Sequence, residues 1–141
     1  MIRETPLGNL SQMISVDAID NRWSDISKLL ACLEDDRVNI DNIYDKIVDG
    51  DWHLWVAFND DKTIYSVAIT CFVYYPLVTN VRVVFLAGEH EDWADIIRIF
   101  EEFAKINDCH EVEIKGRKGW ERVLRDRGYE LTSVTLRKRI K

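Results

Sequence analysis

The residues best suited to chemistry sit in one turn, Gly88-Glu89-His90-Glu91-Asp92-Trp93. The turn follows an apolar run, Val81 to Ala87, and opens an amphipathic segment that reaches Ile106. A strand that feeds a helix through a glycine turn is a geometry that holds phosphate. The first helical N–H groups have no internal partner, and the helix dipole is positive there. Here the turn carries three carboxylates, Glu89, Glu91 and Asp92. Like charges about 4 Å apart repel by about 1 kcal/mol in water and about 4 near a protein surface. Acids at a helix start stabilise the helix by themselves, so the turn reads more simply as a helix cap than as a phosphate cradle. Glu89, His90 and Glu91 are also the candidates for a general base acting on an amine, and an imidazole titrates near neutrality. The plainer alternative is that they solvate a turn.

Other catalytic patterns are missing. His53 and His110 fall in strand-like stretches, and Cys32, Cys71 and Cys109 are widely spaced. None has metal-ligand spacing, and no Ser or Cys has the surroundings of a nucleophile elbow. An odd number of scattered cysteines points to a reducing compartment without a disulfide framework.

Charge is unevenly placed. The net charge is −6, but residues 115–141 hold ten Lys or Arg against three acids. That segment is +7 and the preceding body −13. Arg117, Lys118, Arg122 and Arg125 crowd one short predicted helix and its approach. A cationic face repels itself unless something negative lies against it, so these four are the expected contact with a protein partner or a second copy. Internal pairing with the acidic body is the plainer reading. Nucleic acid is not expected, given the acidic body and the lack of a recognised motif.

The 141 residues fit one domain, residues 1–141, and the 47% hydrophobic composition is that of a globular chain. No apolar run is long enough to span a membrane, and the start lacks the apolar core of a signal peptide. The elements that must position the turn can be read from period. A short strand is expected over Leu10 to Val16. A helix then runs from an Asp17 cap to Glu34, with Ile19, Trp23, Ile26, Leu30 and Leu33 on one face. A second helix, Ile40 to Asp49, stops at Gly50. Strands follow over Trp52 to Phe58, Thr63 to Tyr75, where Pro76 breaks the ladder, and Val81 to Ala87. The helix after the acidic turn has the cleanest stripe, Trp93, Ile96, Ile97, Phe100, Phe103 and Ala104. A strand over His110 to Ile114, a helix over Lys118 to Arg127 with Trp120, Val123 and Leu124 on its apolar side, and a last strand over Tyr129 to Ile140 complete the chain.

The predicted order is β-α-α-β-β-β-α-β-α-β, an α/β (α+β) chain with a mixed, mostly antiparallel sheet flanked by helices. That order resembles the Gcn5-related N-acetyltransferase (GNAT) family over essentially the full length. The segment Arg117-Lys-Gly-Trp120-Glu-Arg-Val-Leu124-Arg-Asp-Arg-Gly128-Tyr129 lies on the family's final-helix pattern, Asn-x-x-Ala-x-x-x-Tyr-x-x-x-Gly-Phe. More narrowly, Leu54 to Phe58, Val84 to Gly88 and Gly116 to Val123 resemble short proteins of this fold encoded by tailed bacteriophages. The resemblance implies acetyl-coenzyme A bound at Leu86, Ala87, Gly88 and Trp93 if the protein is an enzyme. It also exposes departures. The family's Arg or Gln, followed two residues later by Gly-x-Gly or Gly-x-Ala, is reduced to Gly88 alone. The Tyr that protonates the departing thiolate is Leu124, the small Ala is Trp120 and the Asn is Arg117. The expectation is a non-catalytic protein-contact module without a cofactor, such as a phage virion or assembly component, in the host cytoplasm or the virion. The alternative is an acetyl-coenzyme A-dependent N-acyltransferase acting on an amine.

Overall fold

The computed structural model describes residues 2–5, 8–14, 16–59, 61–88, 93–116 and 119–141, with side chains from residue 18 onward apart from 93–95. Six strands form one sheet in the order β1-β2-β3-β4-β5-β6. They are β1 (Ile2–Thr5), β2 (Gly8–Ile14), β3 (His53–Phe58), β4 (Ile64–Tyr74), β5 (Thr79–Gly88) and β6 (Glu111–Ile114). Neighbours pair antiparallel except β5 and β6, which are parallel. A parallel pair needs a crossover, and α3 (Trp93–Ile106) supplies it. The mixed sheet flanked by helices is the fold class expected from sequence.

Helices cover both faces. On one face lie α1 (Val16–Leu30), which ends in a single 3-10 turn, and α2 (Ile40–Val48). Ile19, Ile26, Leu30, Ile43 and Ile47 pack there on Leu54, Val56, Val67 and Ile69. On the other face lie α3 and the short α4 (Gly119–Leu124). Ile96, Ile97, Phe100, Phe103, Ala104 and Leu124 pack there on Trp55, Ala68, Val81 and Val83. The central strands are therefore apolar on both sides, and Leu54, Trp55, Val56 and Ala57 are all buried. Caps explain the helix ends. The Asn39 side chain accepts from the Asn42 N–H at 2.9 Å and the Asn42 side chain accepts from the Asn39 N–H at 3.0 Å, a reciprocal capping box for α2. Tyr44 on α2 donates to Asp20 on α1 at 2.6 Å, which ties the two helices together.

The structure corrects several expectations. The first strand is a hairpin, because β1 lies beside β2. Four residues with one large aliphatic side chain show no readable period, so β1 is visible only through its backbone partner. Helix α1 begins at Val16, which puts Asp17 inside the first turn and not at the cap. Helix α4 is shorter than expected and gives way to a 3-10 turn, Arg125–Arg127, closed by Gly128 at φ 89°. Val123 is 52% exposed and is not part of the apolar side, whereas Leu124 is 4% exposed. The last expected strand is absent: Tyr129 to Lys141 carries no helix, turn or strand. Alternation shows which face a residue would take, but a strand also needs a neighbour to bond.

Phe100 has no exposed surface and meets Trp55 edge-on at 5.3 Å between ring centroids. Phe100→Ala should lower unfolding free energy by about 3–5 kcal/mol, read from denaturant midpoints at unchanged slope.

Candidate functional site

Strand β6 runs beside β5 only from Asn80 to Val83, opposite Glu111 to Ile114. The Lys115 N–H to Val83 carbonyl bond at 3.1 Å closes that ladder. Beyond Val83, β5 continues to Gly88 against β4 alone, so the two parallel strands part there. Ligands favour such a divergence beyond the carboxyl ends of parallel strands. At the same level β5 carries a bulge: Thr70 pairs with Val83 and Ile69 with Phe85, leaving Val84 unopposed. A bulge turns the backbone of the following residues and re-aims them.

The sequence-named residues fall around this divergence. Leu86, Ala87 and Gly88 end β5, and Trp93 begins α3. Glu89, His90 and Glu91 lie outside the described residues, as do Arg117 and Lys118. Gly88 has a structural reason of its own. Its φ is +111°, and a Cβ there would run into the Tyr65 carbonyl oxygen and lie 2.7 Å from the Ser66 Cα. Only glycine tolerates both the angle and the approach. Gly116 is likewise explained by packing, since its Cβ would stand 2.7 Å from the Trp120 ring. The Gly116/Trp120 spacing is thus a contact between a ring and a bare α-carbon. Leu124 faces the α3 core. Of the contact candidates described, Arg122 is exposed and Arg125 donates to Glu121 at 2.7 Å.

Two polar groupings were not anticipated. On the α3 face, Trp55 Nε1 donates to Thr70 Oγ1 at 2.9 Å, and His53 Nδ1 lies 3.1 Å from the same oxygen. The His53 ring meets Phe72 and Phe103 edge-on. Burial holds it below the usual histidine range. It lies two strands from β5, about 10 Å at ordinary strand spacing, so it is a core histidine and not a base for the divergence.

The second grouping joins β5 to β6 on the α1/α2 face. Asn80, only 2% exposed, donates through Nδ2 to Glu111 and Glu113, each at 2.9 Å. Arg82 reaches Glu113 Oε1 through Nε at 3.0 Å and Nη2 at 2.9 Å. Tyr75, next to the Pro76 break, donates its hydroxyl to Glu113. Burial pushes Glu113 up, but the bonds from Tyr75, Asn80 and Arg82 outweigh it and hold the carboxyl below its usual range. The alternation of Glu111 and Glu113 with Val112 and Ile114 is legible in the sequence, but that this strand lies beside Asn80 and Arg82 is not.

Tyr129 also has a fixed role. Its hydroxyl donates to Glu101 on α3 at 2.7 Å. Burial and that carboxylate push its ionisation far above the ordinary tyrosine range, so it stays protonated. Among the described residues no three His, Cys, Asp or Glu are placed to hold a metal ion, and no helix is long and apolar enough to cross a membrane.

Known structures share this architecture. A tetramutant of the BH1408 protein from Bacillus halodurans matches with a TM-score of 0.72 at 9% identity, covering 93% of this chain and 99% of that one. A GNAT family acetyltransferase from Staphylococcus aureus matches at 0.69 and 13%, covering 93% and 98%. A predicted acetyltransferase with acetyl-CoA from Clostridium acetobutylicum matches at 0.66 and 14%, covering 92% and 95%. The chain has the GNAT acetyltransferase fold. No family model matches the sequence, and no curated protein matches it. At these identities the likeness to GNAT structures speaks for the fold alone.

The Glu113 network gives a signed pH dependence. A carboxyl depressed in the folded state contributes stability above its unfolded value, which is lost as pH falls through the folded one. Glu113→Gln should destabilise the protein at neutral pH and flatten the loss of stability below about pH 4.5, measured by urea unfolding at stepped pH.

Proposed function

We propose that this protein uses the GNAT fold for protein contact and does not transfer acyl groups. The observation that carries the reading is Leu124. It stands where the resemblance places the thiolate-protonating tyrosine, and its alkyl side chain is buried in the α3/α4 core. Gly88 supports it too, because close approach to Tyr65 accounts for that glycine without a pyrophosphate. The sequence of the turn, with Glu89, Glu91 and Asp92, adds negative charge where a pyrophosphate would lie. The residues present thus fit acetyl-coenzyme A poorly. Exposed Arg122 and Arg125, with Arg117 and Lys118 before them in sequence, form the proposed contact face for an acidic protein surface. The likeness of Gly116 to Val123 to phage-encoded proteins supports a place in a phage particle or its assembly in the host cytoplasm.

One observation favours a second reading, an acetyl-coenzyme A-dependent N-acyltransferase acting on an amine. The parting of β5 and β6 and the bulge at Val84 leave a strand edge that an extended amide chain would match. On that reading Leu86, Ala87, Gly88 and Trp93 line the cofactor, and Glu89, His90 or Glu91 takes the proton from the amine.

Thermal unfolding with and without millimolar acetyl-coenzyme A separates the two. A ligand at one hundred times its Kd adds about 2.7 kcal/mol. The contact reading expects no shift. A saturable rise in Tm would overturn it, and Glu89→Gly with Glu91→Gly should then enlarge the rise.

A further inference from the structure

The ladder between β3 and β4 ends at His53 and Thr70. Before His53 the chain is held back toward α2, because the Trp52 N–H donates to the Lys46 carbonyl and the Gly50 N–H to the Ile47 carbonyl, each at 3.1 Å. Strand β4 runs on past that fork against β5 alone, as far as the Tyr74/Thr79 pair. The fork holds a cavity of about 280 Å³, lined by Gly50, Asp51 and Trp52 on one side and by Cys71, Phe72 and Tyr74 on the other. A cavity of that size suits a small ligand. It lies at the opposite end of β4 from Ser66, which pairs with Gly88. Ser66 and Phe72 stand about 20 Å apart along the strand. The cavity is therefore separate from the β5/β6 divergence, whether or not acetyl-coenzyme A binds there.

Three rings and a carboxylate meet in this fork: Trp52, Phe72, Tyr74 and Asp51. Phe72 is a fixed wall, stacked on Phe103 at 5.7 Å between ring centroids and met edge-on by His53 at 4.8 Å. Tyr74 tilts against Phe72 at 6.3 Å and, at 77% exposure, forms the outer wall. The face of an aromatic ring is electron-rich and attracts cations. Trp52 already does so: the Lys46 ammonium lies 5.7 Å from its ring centroid, and Lys46 is not among the residues that line the cavity. The surrounding charges favour a further cation. Asp49 and Asp51 flank Gly50 and are exposed. Helix α2 ends at Val48, so the negative end of its dipole lies by Gly50. Arg82 on the next strand is already paired with Glu113, and burial holds His53 below its usual range, so it is uncharged at neutral pH. We infer that the fork binds a small alkylammonium ion, its charged head among Trp52, Phe72 and Tyr74 and the Asp51 carboxylate as its counter-ion. An alkylated head fits better than a primary ammonium, whose N–H groups would give up water for a single charged acceptor in the lining, Asp51.

Titration of the full chain with choline, followed by nuclear magnetic resonance, tests it. The signal to follow is the Trp52 indole N–H, identified by its loss in Trp52→Phe. It should move saturably at millimolar choline, and sodium chloride at the same concentration should leave it in place. Dimethylbutanol, the uncharged carbon isostere of choline, should bind roughly tenfold more weakly. Asp51→Asn and Tyr74→Leu change exposed positions, so the fold should survive them, and each should weaken choline by roughly threefold or more. A Trp52 signal that choline leaves in place, or that sodium chloride moves as far, overturns the inference. Equal binding of the alcohol makes the fork a plain apolar pocket and overturns the role of charge. Unchanged affinity in both Asp51→Asn and Tyr74→Leu puts the ion elsewhere and overturns the site.

Discussion

The β4–β5 ladder is the constraint from which the rest of the structure follows. It runs from Tyr74 and Thr79 at the tight turn to Ser66 and Gly88 at the far end. Both strands carry apolar side chains on both faces, so neither helical layer can form without them. The ladder also fixes two local features of the candidate site. Its bulge leaves Val84 unopposed, and its last pair brings Gly88 against the Tyr65 carbonyl. A side chain at Gly88 would force the ladder apart at the point where β5 leaves for α3.

From that ladder the parallel strand β6 is placed by polar bonds as much as by apolar packing. Val112 and Ile114 join the α3 core, while Glu111 and Glu113 are gripped by Asn80 and Arg82 on the opposite face. Part-buried bonds to carboxylates of this kind add modest net stability. They penalise any slip of register, because a one-residue shift would bury carboxylates against α3 and expose the valine and isoleucine. The network thereby helps fix the register in which β6 lies beside β5.

The chain has the GNAT fold. The architecture, the strand divergence and the bulge are present. Leu124 at the end of α4 is buried, and Tyr129 is kept protonated by burial and by Glu101. A fold hosts many functions, and function must be argued from the site. Among the described groups, Leu124 packs in the α3/α4 core and Gly128 ends the helix.

Sequence alone determined what backbone period and residue type determine. The stripes of α1 and α2, the stripe of α3 from Ile96 onward, most of the spans of β3 to β6 and the glycine stops were legible, because each depends on a few adjacent residues. The cap of α2 was legible in principle, in Asn39 and Asn42. Tertiary structure decided which strands are neighbours, and with that the facing of Asn80 and Arg82 onto Glu111 and Glu113. It decided that Gly88 is demanded by Tyr65 and Gly116 by Trp120. It also decided that Tyr129 to Lys141, patterned as a strand, has no ladder in its own chain. Alternation fixes the face a side chain would take, but hydrogen-bond partners come from segments far away in sequence, and no local pattern encodes which segment that will be.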